Sequence, residues 1–443
     1  MNLYPPGEIP CNESCQVVIL PRDLTPPENA MNEEGTHPIL KDTDTCIGCA
    51  ACAAVCPKEA ISMCPDAEGF LFPRVETITC NDCGLCRTTC PVYQNCSPDR
   101  VPEARAGIRK PIGVFAAWHL DTDIRRKSSS GGVFTALADT VLKQGGVVCG
   151  AAFDDNGVVQ HILIDSSADL PRLRGSKYVQ SEISPACYHR IHTYLIQGRP
   201  VLFSGTPCQV AALCHYLGKP CDNLFCCEIV CHGVPSPLLF ARYVQNCRDE
   251  GQNVTGISFR DKTTGWKTYS ISRQIHNEGE ILVPASVDPY IAAFLHDFSL
   301  RPSCYACRFK STAQGDITLG DFWGVAKKYP EYDRDDKGTS LVLVNTCKGE
   351  ALLESCHHEL FCGKADLDTA IAGNAMLVRS CERPPGRDTF YQDLADLSFP
   401  ELIQNYRLSP VSSSRLPASP FLEKVTRFFR AVIRRRPKGG KPV

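Results

Sequence analysis

Features typical of membrane-spanning, exported and nucleic-acid-binding proteins are missing from this sequence. No uncharged apolar stretch approaches the ~20 residues that a membrane-spanning helix needs. The segment from Met1 to Pro6 lacks a basic region followed by an apolar core, so we expect no signal peptide. The net charge is only -2 over 443 residues, which argues against a nucleic-acid partner. We therefore expect a globular, cytoplasmic protein of two or three domains.

The common nucleotide-binding and radical-chemistry motifs are missing too. No G-x-G-x-x-G follows a strand-like segment and no G-x4-G-K-S/T occurs, so neither a dinucleotide-binding Rossmann site nor a Walker phosphate loop is indicated. The Cys-x3-Cys-x2-Cys spacing of radical S-adenosylmethionine enzymes is also absent. Any flavin or nucleotide would have to be bound by a less common fold.

Cysteine, in contrast, is abundant, with 27 residues, and eight of them form two runs of the spacing Cys-x2-Cys-x2-Cys-x3-Cys-Pro. These eight residues are Cys46, Cys49, Cys52, Cys56, Cys80, Cys83, Cys86 and Cys90. Bacterial ferredoxins use this spacing to bind two [4Fe–4S] clusters, with the fourth cysteine of each run serving the other cluster. The first three cysteines of the first run would then join Cys90, and those of the second run would join Cys56. Zinc or disulfides are the alternative, and the doubled run argues strongly against both.

Changes in composition and apolar pattern along the sequence divide the chain into segments. Residues 1–40 predict a loosely ordered leader, in which Cys11 and Cys15 have no recognisable partners, and residues 41–97 form the ferredoxin-like module. A Pro- and Gly-containing linker is predicted over residues 98–112. From Gly113 onward strands and helices mix without strict alternation, which predicts an α+β fold with a mixed α/β body. The predicted elements are strands at 113–118, 147–153, 160–164 and 200–204, helices at 133–143 and 191–197, and a meander over 257–283.

Two polar segments of the body are candidate anion sites. Ser128-Ser129-Ser130-Gly131-Gly132 directly precedes the helix at 133–143, where hydroxyls and helix amides favour a phosphate. A plain N-capping loop explains the same residues. The segment from Arg172 to Ser181 holds Arg174, Gly175, Ser176 and Lys177, and it suits a phosphate or an anionic flavin ring, or else a solvated basic loop.

The remaining candidate site residues are further cysteines and polar residues that lie beside strand-like segments. Cys208, Cys231, Cys304 and Cys307 could bind a third [4Fe–4S] cluster, although their spacing alone is a weak signal and buried cysteines are often inert. Cys226 and Cys227 are rivals for the second ligand. Thr206 and Gln209 lie in a turn after a strand, and Asp321 follows the strand-like segment after Asp316. These polar residues could contact a flavin or serve only the fold.

Taken in order, six segments resemble the family of coenzyme F420 hydrogenase/dehydrogenase beta subunits over about residues 41–350. They are SSSGGVFTALA (128–138), LRGSKYVQSE (173–182), GTPCQVAAL (205–213), CHGVPSP (231–237), FRDKTTGW (259–266) and CYACRFKSTAQGDITLGDFWG (304–324). The resemblance implies an N-terminal family domain at 113–198, a C-terminal one at 199–370 and an extension at 371–443. It also implies the third cluster on the four cysteines named above, and FAD. The implied flavin contacts are Ser128, Ser129, Gly131, Gly132, Gly175, Ser176, Lys177, Thr206, Gln209 and Asp321.

The resemblance implies an iron–sulfur flavoprotein oxidoreductase. Electrons would pass from a redox partner, such as a ferredoxin or a hydrogenase or dehydrogenase subunit, through the clusters to FAD. The flavin would then reduce a small-molecule acceptor, either coenzyme F420 or another compound such as a tetrapyrrole. Lys177, and after it Arg174, are the residues we expect to stabilise the charge of the reduced flavin. The alternative is an electron-relay subunit with no substrate and no flavin.

The end of the sequence predicts an amphipathic helix. Residues 421–436 place an apolar face beside five arginines, which suits either an anionic membrane surface or docking on the protein's own body. The flexible tether predicted over residues 409–420 favours an external partner slightly.

Overall fold

A computed structural model describes residues 43–94 and 110–408 of the chain. The predicted leader, almost all of the predicted linker, the tether and the amphipathic helix at 421–436 lie outside the described residues. Within the described ranges, no helix is both long enough and apolar enough to span a membrane.

Thirteen strands and fifteen helices can be assigned in the described part of the chain. The strands are β1 (Ile61–Pro65), β2 (Leu71–Val75), β3 (Gly113–His119), β4 (Val147–Phe153), β5 (Val159–Ile164), β6 (Val201–Gly205), β7 (Leu224–Ile229), β8 (Val254–Asp261), β9 (Ser270–Ile275), β10 (Gly279–Pro284), β11 (Ile317–Asp321), β12 (Ser340–Val344) and β13 (Leu360–Lys364). The helices are α1 (Ala51–Ala54), α2 (Leu85–Thr89), α3 (Pro91–Gln94), α4 (Thr122–Arg126), α5 (Val133–Lys143), α6 (Leu170–Leu173), α7 (Pro185–Ile196), α8 (Pro207–Leu217), α9 (Pro237–Asp249), α10 (Pro289–Leu295), α11 (Pro302–Tyr305), α12 (Cys347–Ser355), α13 (Leu367–Gly373), α14 (Arg387–Asp396) and α15 (Phe399–Asn405). The predicted α+β fold is confirmed.

The cysteine module repeats one backbone shape twice. In the first run, Gly48 and Ala50 flank the second cysteine with φ of +67° and +61°. In the second run, Asp82 and Gly84 occupy the same positions with φ of +52° and +73°. Left-handed residues on either side of a cysteine curl the loop so that successive backbone N–H groups point inward, which favours a negatively charged centre. The two loops are joined by the antiparallel hairpin of β1 and β2.

The body is built on one mixed sheet of eight strands, ordered β13-β3-β12-β11-β7-β6-β4-β5. Its middle, β11-β7-β6-β4, is parallel, and the strands on both sides run antiparallel to their neighbours. The segments 113–198 and 199–370 both contribute strands to it. The predicted division at residue 199 therefore separates two stretches of sequence and does not separate two hydrophobic cores.

A smaller three-stranded sheet, β10-β9-β8, closes the body on one side and matches the predicted meander. Its core also takes up α14 and α15 through the buried residues Phe390, Tyr391, Phe399 and Leu402. The predicted extension at 371–443 is thus, as far as residue 408, an integral part of the core.

The cysteine module is packed firmly on the body. The buried guanidinium of Arg301 donates hydrogen bonds to the carbonyls of Cys46 and Leu71 at 2.7 and 3.0 Å and to Gln180 Oε1 at 3.1 Å. The Tyr188 hydroxyl donates to the Cys49 carbonyl at 2.7 Å. Phe70, at the tip of the hairpin, is completely buried in the core of the body. Module and body therefore share a core and a hydrogen-bond network.

Candidate redox site

The second cysteine run, together with the last cysteine of the first, surrounds a small cavity near the surface. Cys56, Cys80, Cys83 and Cys86 line it, and Cys83 is exposed. The Ala60 amide donates to Cys56 Sγ at 3.4 Å, and the Asp82 amide donates to Cys80 Sγ at 3.5 Å. Four sulfur atoms held this way, with amides directed at them, suit a cubane cluster.

The first run lies deeper in the protein. Burial raises the pKa of the Cys49 and Cys52 thiols, and the neighbouring sulfurs of Cys46 and Cys90 raise them further. Cys90 therefore lies with the first run, as the crossed assignment expects. Buried thiolates at such close range repel one another unless a cationic centre binds them, so this set also suits an iron cluster.

A third set of sulfurs gathers from distant parts of the sequence. Cys208, Cys231, Cys304 and Cys307 line one cavity, and burial together with the other three sulfurs raises the pKa of Cys208. Burial also raises the pKa of Cys231 to about 11, against the opposing charge of Lys310. The Thr206 hydroxyl lies 3.1 Å from Cys208 Sγ. This set is the third candidate cluster site.

The rival ligands Cys226 and Cys227 lie elsewhere. Both are buried on β7, inside the sheet, and neither lines the cavity of the third set. Cys226 packs in the core formed by α7, α8 and the sheet, whereas Cys231 follows the end of β7. Of the three, only Cys231 has a side chain among the other sulfurs.

The three cysteine sets are contiguous. The sulfur of Cys86, from the outer set, adds to the rise in the pKa of Cys52 in the inner set. Ile47 and Val92 of the module line the cavity of the third set. Ile47 and Cys90 also pack in one apolar cluster with Cys208 and Cys307. The sets therefore lie in the order outer, inner, third.

A central cavity of about 400 Å³ opens where parallel strands end. It is lined by residues at the carboxyl ends of β6, β7 and β11, which is the usual position of ligand sites in open α/β sheets. Residues 231–234 line both this cavity and that of the third cysteine set. A ligand in the central cavity is therefore separated from the third set by a single backbone segment.

One end of the central cavity is suited to an anion. Ser128, Ser129, Arg174 and Ser176 line it beside the first turn of α5, which has no side-chain cap. The Ser176 amide and hydroxyl donate to Ser129 Oγ at 2.7 and 2.9 Å, so the two predicted anion segments meet here. Helix amides, hydroxyls and a guanidinium together form a phosphate-binding surface.

The two glycines of the Ser/Gly loop have different roles. Gly132 lines the cavity and caps α5 with φ of +92°. Gly131 does not line the cavity, because its amide donates to Ser340 Oγ at 2.9 Å and it packs against β3 and β12. A Cβ at Gly131 would lie 2.3 Å from the Ala117 carbonyl oxygen. Gly131 therefore positions the loop, and we assign it no ligand contact.

Lys177 also lines the central cavity. Its ammonium donates to the carbonyls of Arg172 and Arg174 at 2.9 Å each, and burial lowers its pKa to about 7. His161, which also lines the cavity, donates from Nε2 to the Ser204 carbonyl at 3.0 Å. Burial lowers the pKa of His161 to about 4, so this imidazole stays neutral.

Thr206 and Gln209 line the cavity, but their polar groups are also engaged within the protein. Together they form the capping box of α8, in which Gln209 Oε1 accepts from the Thr206 amide at 2.9 Å. Gln209 Nε2 donates to Ser181 Oγ at 2.9 Å. Their main role is therefore to shape the wall of the cavity, and contact with a ligand would be a secondary role.

Asp321 is similarly engaged. Arg260 donates to its two carboxylate oxygens at 2.8 and 3.2 Å, and Trp266 Nε1 donates at 2.8 Å. Trp266 stacks on Trp323 with ring centroids 4.4 Å apart. Arg260 was missed among the site residues predicted from the sequence, although a charged residue at a core-facing position of a strand is a usable signal. It lines the cavity and also donates to the Ser129 carbonyl.

Most of the described chain matches known protein families. Residues 114–187 and 198–369 match the coenzyme F420 hydrogenase/dehydrogenase, beta subunit, N-terminal and C-terminal descriptions, and residues 45–93 match a 4Fe-4S dicluster domain. The F(420)H(2) dehydrogenase of Methanosarcina mazei has a subunit that is 26% identical over 183 residues, covering 38% of this chain and 47% of that protein. The chain thus aligns with about half the length of that relative.

A solved structure is also similar in part. It is a chain of the F420-reducing [NiFe] hydrogenase complex of Methanosarcina barkeri, determined after xenon derivatisation. It shares 18% identity and a TM-score of 0.41, covering 68% of this chain and 92% of that one. The sequence matches establish the family: the chain belongs to the family of coenzyme F420 hydrogenase/dehydrogenase beta subunits, and a 4Fe-4S dicluster domain precedes its two family segments.

Proposed function

We propose that this chain is an iron–sulfur flavoprotein oxidoreductase that passes electrons from a redox partner protein through three [4Fe–4S] clusters to FAD and on to a small-molecule acceptor. The supporting observation is the unbroken order of sites, from the exposed Cys83 through the three cysteine sets to the central cavity. The acceptor is coenzyme F420 or a related reducible compound.

The proposal assigns cluster ligands by the sets described above. The outer cluster uses Cys80, Cys83, Cys86 and Cys56, and the inner cluster uses Cys46, Cys49, Cys52 and Cys90. The third uses Cys208, Cys231, Cys304 and Cys307. Burial keeps water from the inner and third sets, and amide and hydroxyl donors to sulfur adjust cluster potentials.

The central cavity fits a flavin dinucleotide in size and in chemistry. Its volume falls within the ~300–1,000 Å³ range of small-molecule sites. Ser128, Ser129, Ser176 and Arg174, with the first turn of α5, would hold the pyrophosphate, and Lys177 would lie against the ring system. A bound flavin supplies the two-electron chemistry that single-electron clusters lack. The chain's own part is to orient the flavin beside residues 231–234, to exclude water there and to hold a positive charge at Lys177 Nζ.

The large cavity at the end of the cysteine series is what favours an oxidoreductase over an electron relay. A relay has no use for a cavity of this size lined by arginine, lysine and hydroxyl groups. Because the dehydrogenase relative carries the name of a subunit, we also propose that this chain works with a partner protein that delivers or removes electrons.

Metal and flavin content tests the proposal. The protein should be purified without oxygen, and iron, acid-labile sulfide and flavin should be measured per chain. We expect about twelve irons and one FAD. Cys208→Ser should lower iron to about eight without removing the dicluster signal, whereas Cys356→Ser, at a buried thiol outside the sets, should leave it unchanged. About eight irons and no flavin in the unaltered protein would instead support the relay.

A further inference from the structure

A mixed group of metal-ligand side chains lies beside the third cysteine set. Among the residues that the structure describes, His232, Asp297 and Cys381 bring one ligand atom each within 4.8 Å of one another. His232 Nε2 donates to Asp297 Oδ1 at 2.6 Å, and Cys381 Sγ donates to the His232 carbonyl at 3.0 Å. The Met376 thioether lies 3.7 Å from Cys381 Sγ. None of these four residues belongs to the cluster sets.

Asp297 occupies a backbone position that normally takes glycine. It follows α10 with φ of +64°. The amides of Asp297 and Phe298 donate to the carbonyls of Phe294 and Ala293 at 3.1 Å each. This is the Schellman ending of a helix, in which glycine is usual because a Cβ destabilises the left-handed conformation. The carboxylate is present here despite that cost, and it is directed at His232.

We propose that His232, Asp297 and Cys381 bind a single divalent metal ion of the zinc class. One imidazole, one carboxylate and one thiolate form a donor set that zinc accepts readily. Three protein ligands leave one coordination position for Met376 or a water molecule.

The charge balance favours occupancy. In the structure His232 Nε2 donates to Asp297 and Cys381 Sγ donates to a backbone carbonyl, so each of these two ligand atoms carries a proton. Binding of a divalent ion releases the Cys381 thiol proton and moves the ring proton of His232 from Nε2 to Nδ1. The occupied site then has two positive charges from the ion and one negative charge from each of two ligands, so it is neutral. A neutral group is the easier one to accommodate in this half-buried position.

The geometry requires only a small adjustment. Two nitrogen or oxygen ligands on a tetrahedral zinc ion lie about 3.3 Å apart, whereas the Nε2 and Oδ1 atoms are now in direct hydrogen-bond contact. A rotation of the His232 ring and a small shift of the Asp297 side chain would supply the difference. His232 and Met376 both line the central cavity, so the ion would lie at its wall. It would also brace residues 231–234 between that cavity and the third cysteine set.

Zinc content and X-ray absorption at the zinc edge test this proposal apart from flavin and from activity. The full-length protein, purified without oxygen, is given one equivalent of Zn²⁺, freed of loosely bound ion by gel filtration and analysed for zinc and iron. We expect about one zinc per chain, with one sulfur at about 2.3 Å and two or three nitrogen or oxygen atoms at about 2.0–2.1 Å. Asp297→Asn and Cys381→Ser should each lower retained zinc at least fivefold while leaving iron unchanged.

Two further variants keep the test decisive. Asp297→Gly removes the ligand while placing the preferred residue at the end of α10, so loss of zinc from this variant cannot come from a misfolded helix end. Cys356→Ser is the matched control, because Cys356 is also a buried thiol that donates to a backbone carbonyl. Zinc surrounded by four sulfurs would show binding at cluster cysteines and would overturn the proposal. Equal zinc retention in the Asp297 variants and the unaltered protein, or iron loss in Cys381→Ser, would do so too.

Discussion

Two lysines near the central cavity lie in surroundings where burial disfavours their charged form. Lys177 and Lys262 both have a pKa lowered to about 7, in each case chiefly by burial. Lys262 donates to three backbone carbonyls, of Arg125, Ser130 and Lys337, at 2.6 to 2.7 Å. It thereby joins α4, the loop after α4 and the loop before β12. Lys177 lines the cavity itself, and its charge is therefore available to a ligand.

The charge of Lys177 should make the flavin potential depend on pH. Below pH 7 the ammonium is charged and stabilises a reduced, anionic ring; above pH 7 it becomes neutral and this stabilisation is lost. We expect Lys177→Met to lower the midpoint potential at pH 6 by about 30–60 mV, or roughly 1.4–2.8 kcal/mol for two electrons. At pH 9.5, above the pKa that Lys177 would have even beside the anionic ring, the variant and the unaltered protein should nearly agree, as measured by spectroelectrochemical titration. Lys127→Met, at an exposed lysine next to the Ser/Gly loop at 128–132, is the control. An equal shift at both pH values would contradict this role.

Asp321 should matter for stability because its partner is buried. Arg260 is only 3% exposed, so removing the opposing carboxylate leaves an unpaired charge in the interior. We expect Asp321→Asn to lower the free energy of unfolding by about 3 kcal/mol, measured by urea denaturation. Arg126→Gln breaks an ion pair with Asp123 whose side chains are 58% and 72% exposed, and it should cost less than about 1 kcal/mol. Similar costs for the two substitutions would show that Arg260 finds other partners.

At the scale of elements, the loop between α4 and α5 is held in place by the strands against which it packs. Gly131 contacts the backbone of β3 and β12, whereas Gly175, on the facing loop, has open space around a Cβ position and φ of +85°. The two glycines are therefore required for different reasons, one for space and one for backbone conformation.

This contrast predicts unequal effects of alanine. Gly131→Ala should cost about 3 kcal/mol, because its Cβ would meet a carbonyl oxygen that cannot move without distorting the sheet. Gly175→Ala should cost about 1–2 kcal/mol, the ordinary penalty of a left-handed alanine. Urea denaturation gives both values, and flavin retention should fall more in the first variant. The reverse order of costs would mean that the loop does not pack against the sheet as described.

At the scale of the whole molecule, the proposed path for electrons depends on how the cysteine module packs on the body. Arg301 is central to that contact, since one buried side chain connects the first cysteine loop, the hairpin and Gln180. Arg387 forms an ion pair with Glu68 of the hairpin. The inner and third sets remain adjacent only while this interface is intact.

Arg301→Met should therefore loosen the module without unfolding the body. The lost hydrogen bonds, with their acceptors left buried, should cost at least about 2 kcal/mol. Hydrogen exchange should accelerate in residues 46–56 and 71–75, while β6 and β7 keep their protection. Arg199→Met is the control, because Arg199 also donates to backbone carbonyls, those of Gly145 and Gly146, but lies wholly within the body. Uniform acceleration throughout the chain would contradict a local role at the interface.

Much of the local structure could be predicted from residue order. Helix α5 and strand β4 begin and end at the residues expected from the apolar pattern. The x2 spacing of the cysteine runs indicated their chemistry because a loop of so few residues can bend in few ways. Helix α7 was predicted too short, because it already begins at Pro185 after the Ser184 cap. Cys187 and Tyr188 extend its buried face ahead of Ile191, where the prediction began.

The sequence by itself thus determined the chemistry of the dicluster module and the family, because short spacings and ordered motifs are local properties of the chain. Only the tertiary structure decided which distant residues meet. It brought Cys208, Cys231, Cys304 and Cys307 around one cavity, paired Asp321 with Arg260, and joined the segments 113–198 and 199–370 in one sheet. These contacts depend on the strand order β11-β7-β6-β4, in which β11 pairs with β7 although the two strands lie far apart along the chain. Strand order follows from the packing of the whole core, and no short stretch of residues carries it.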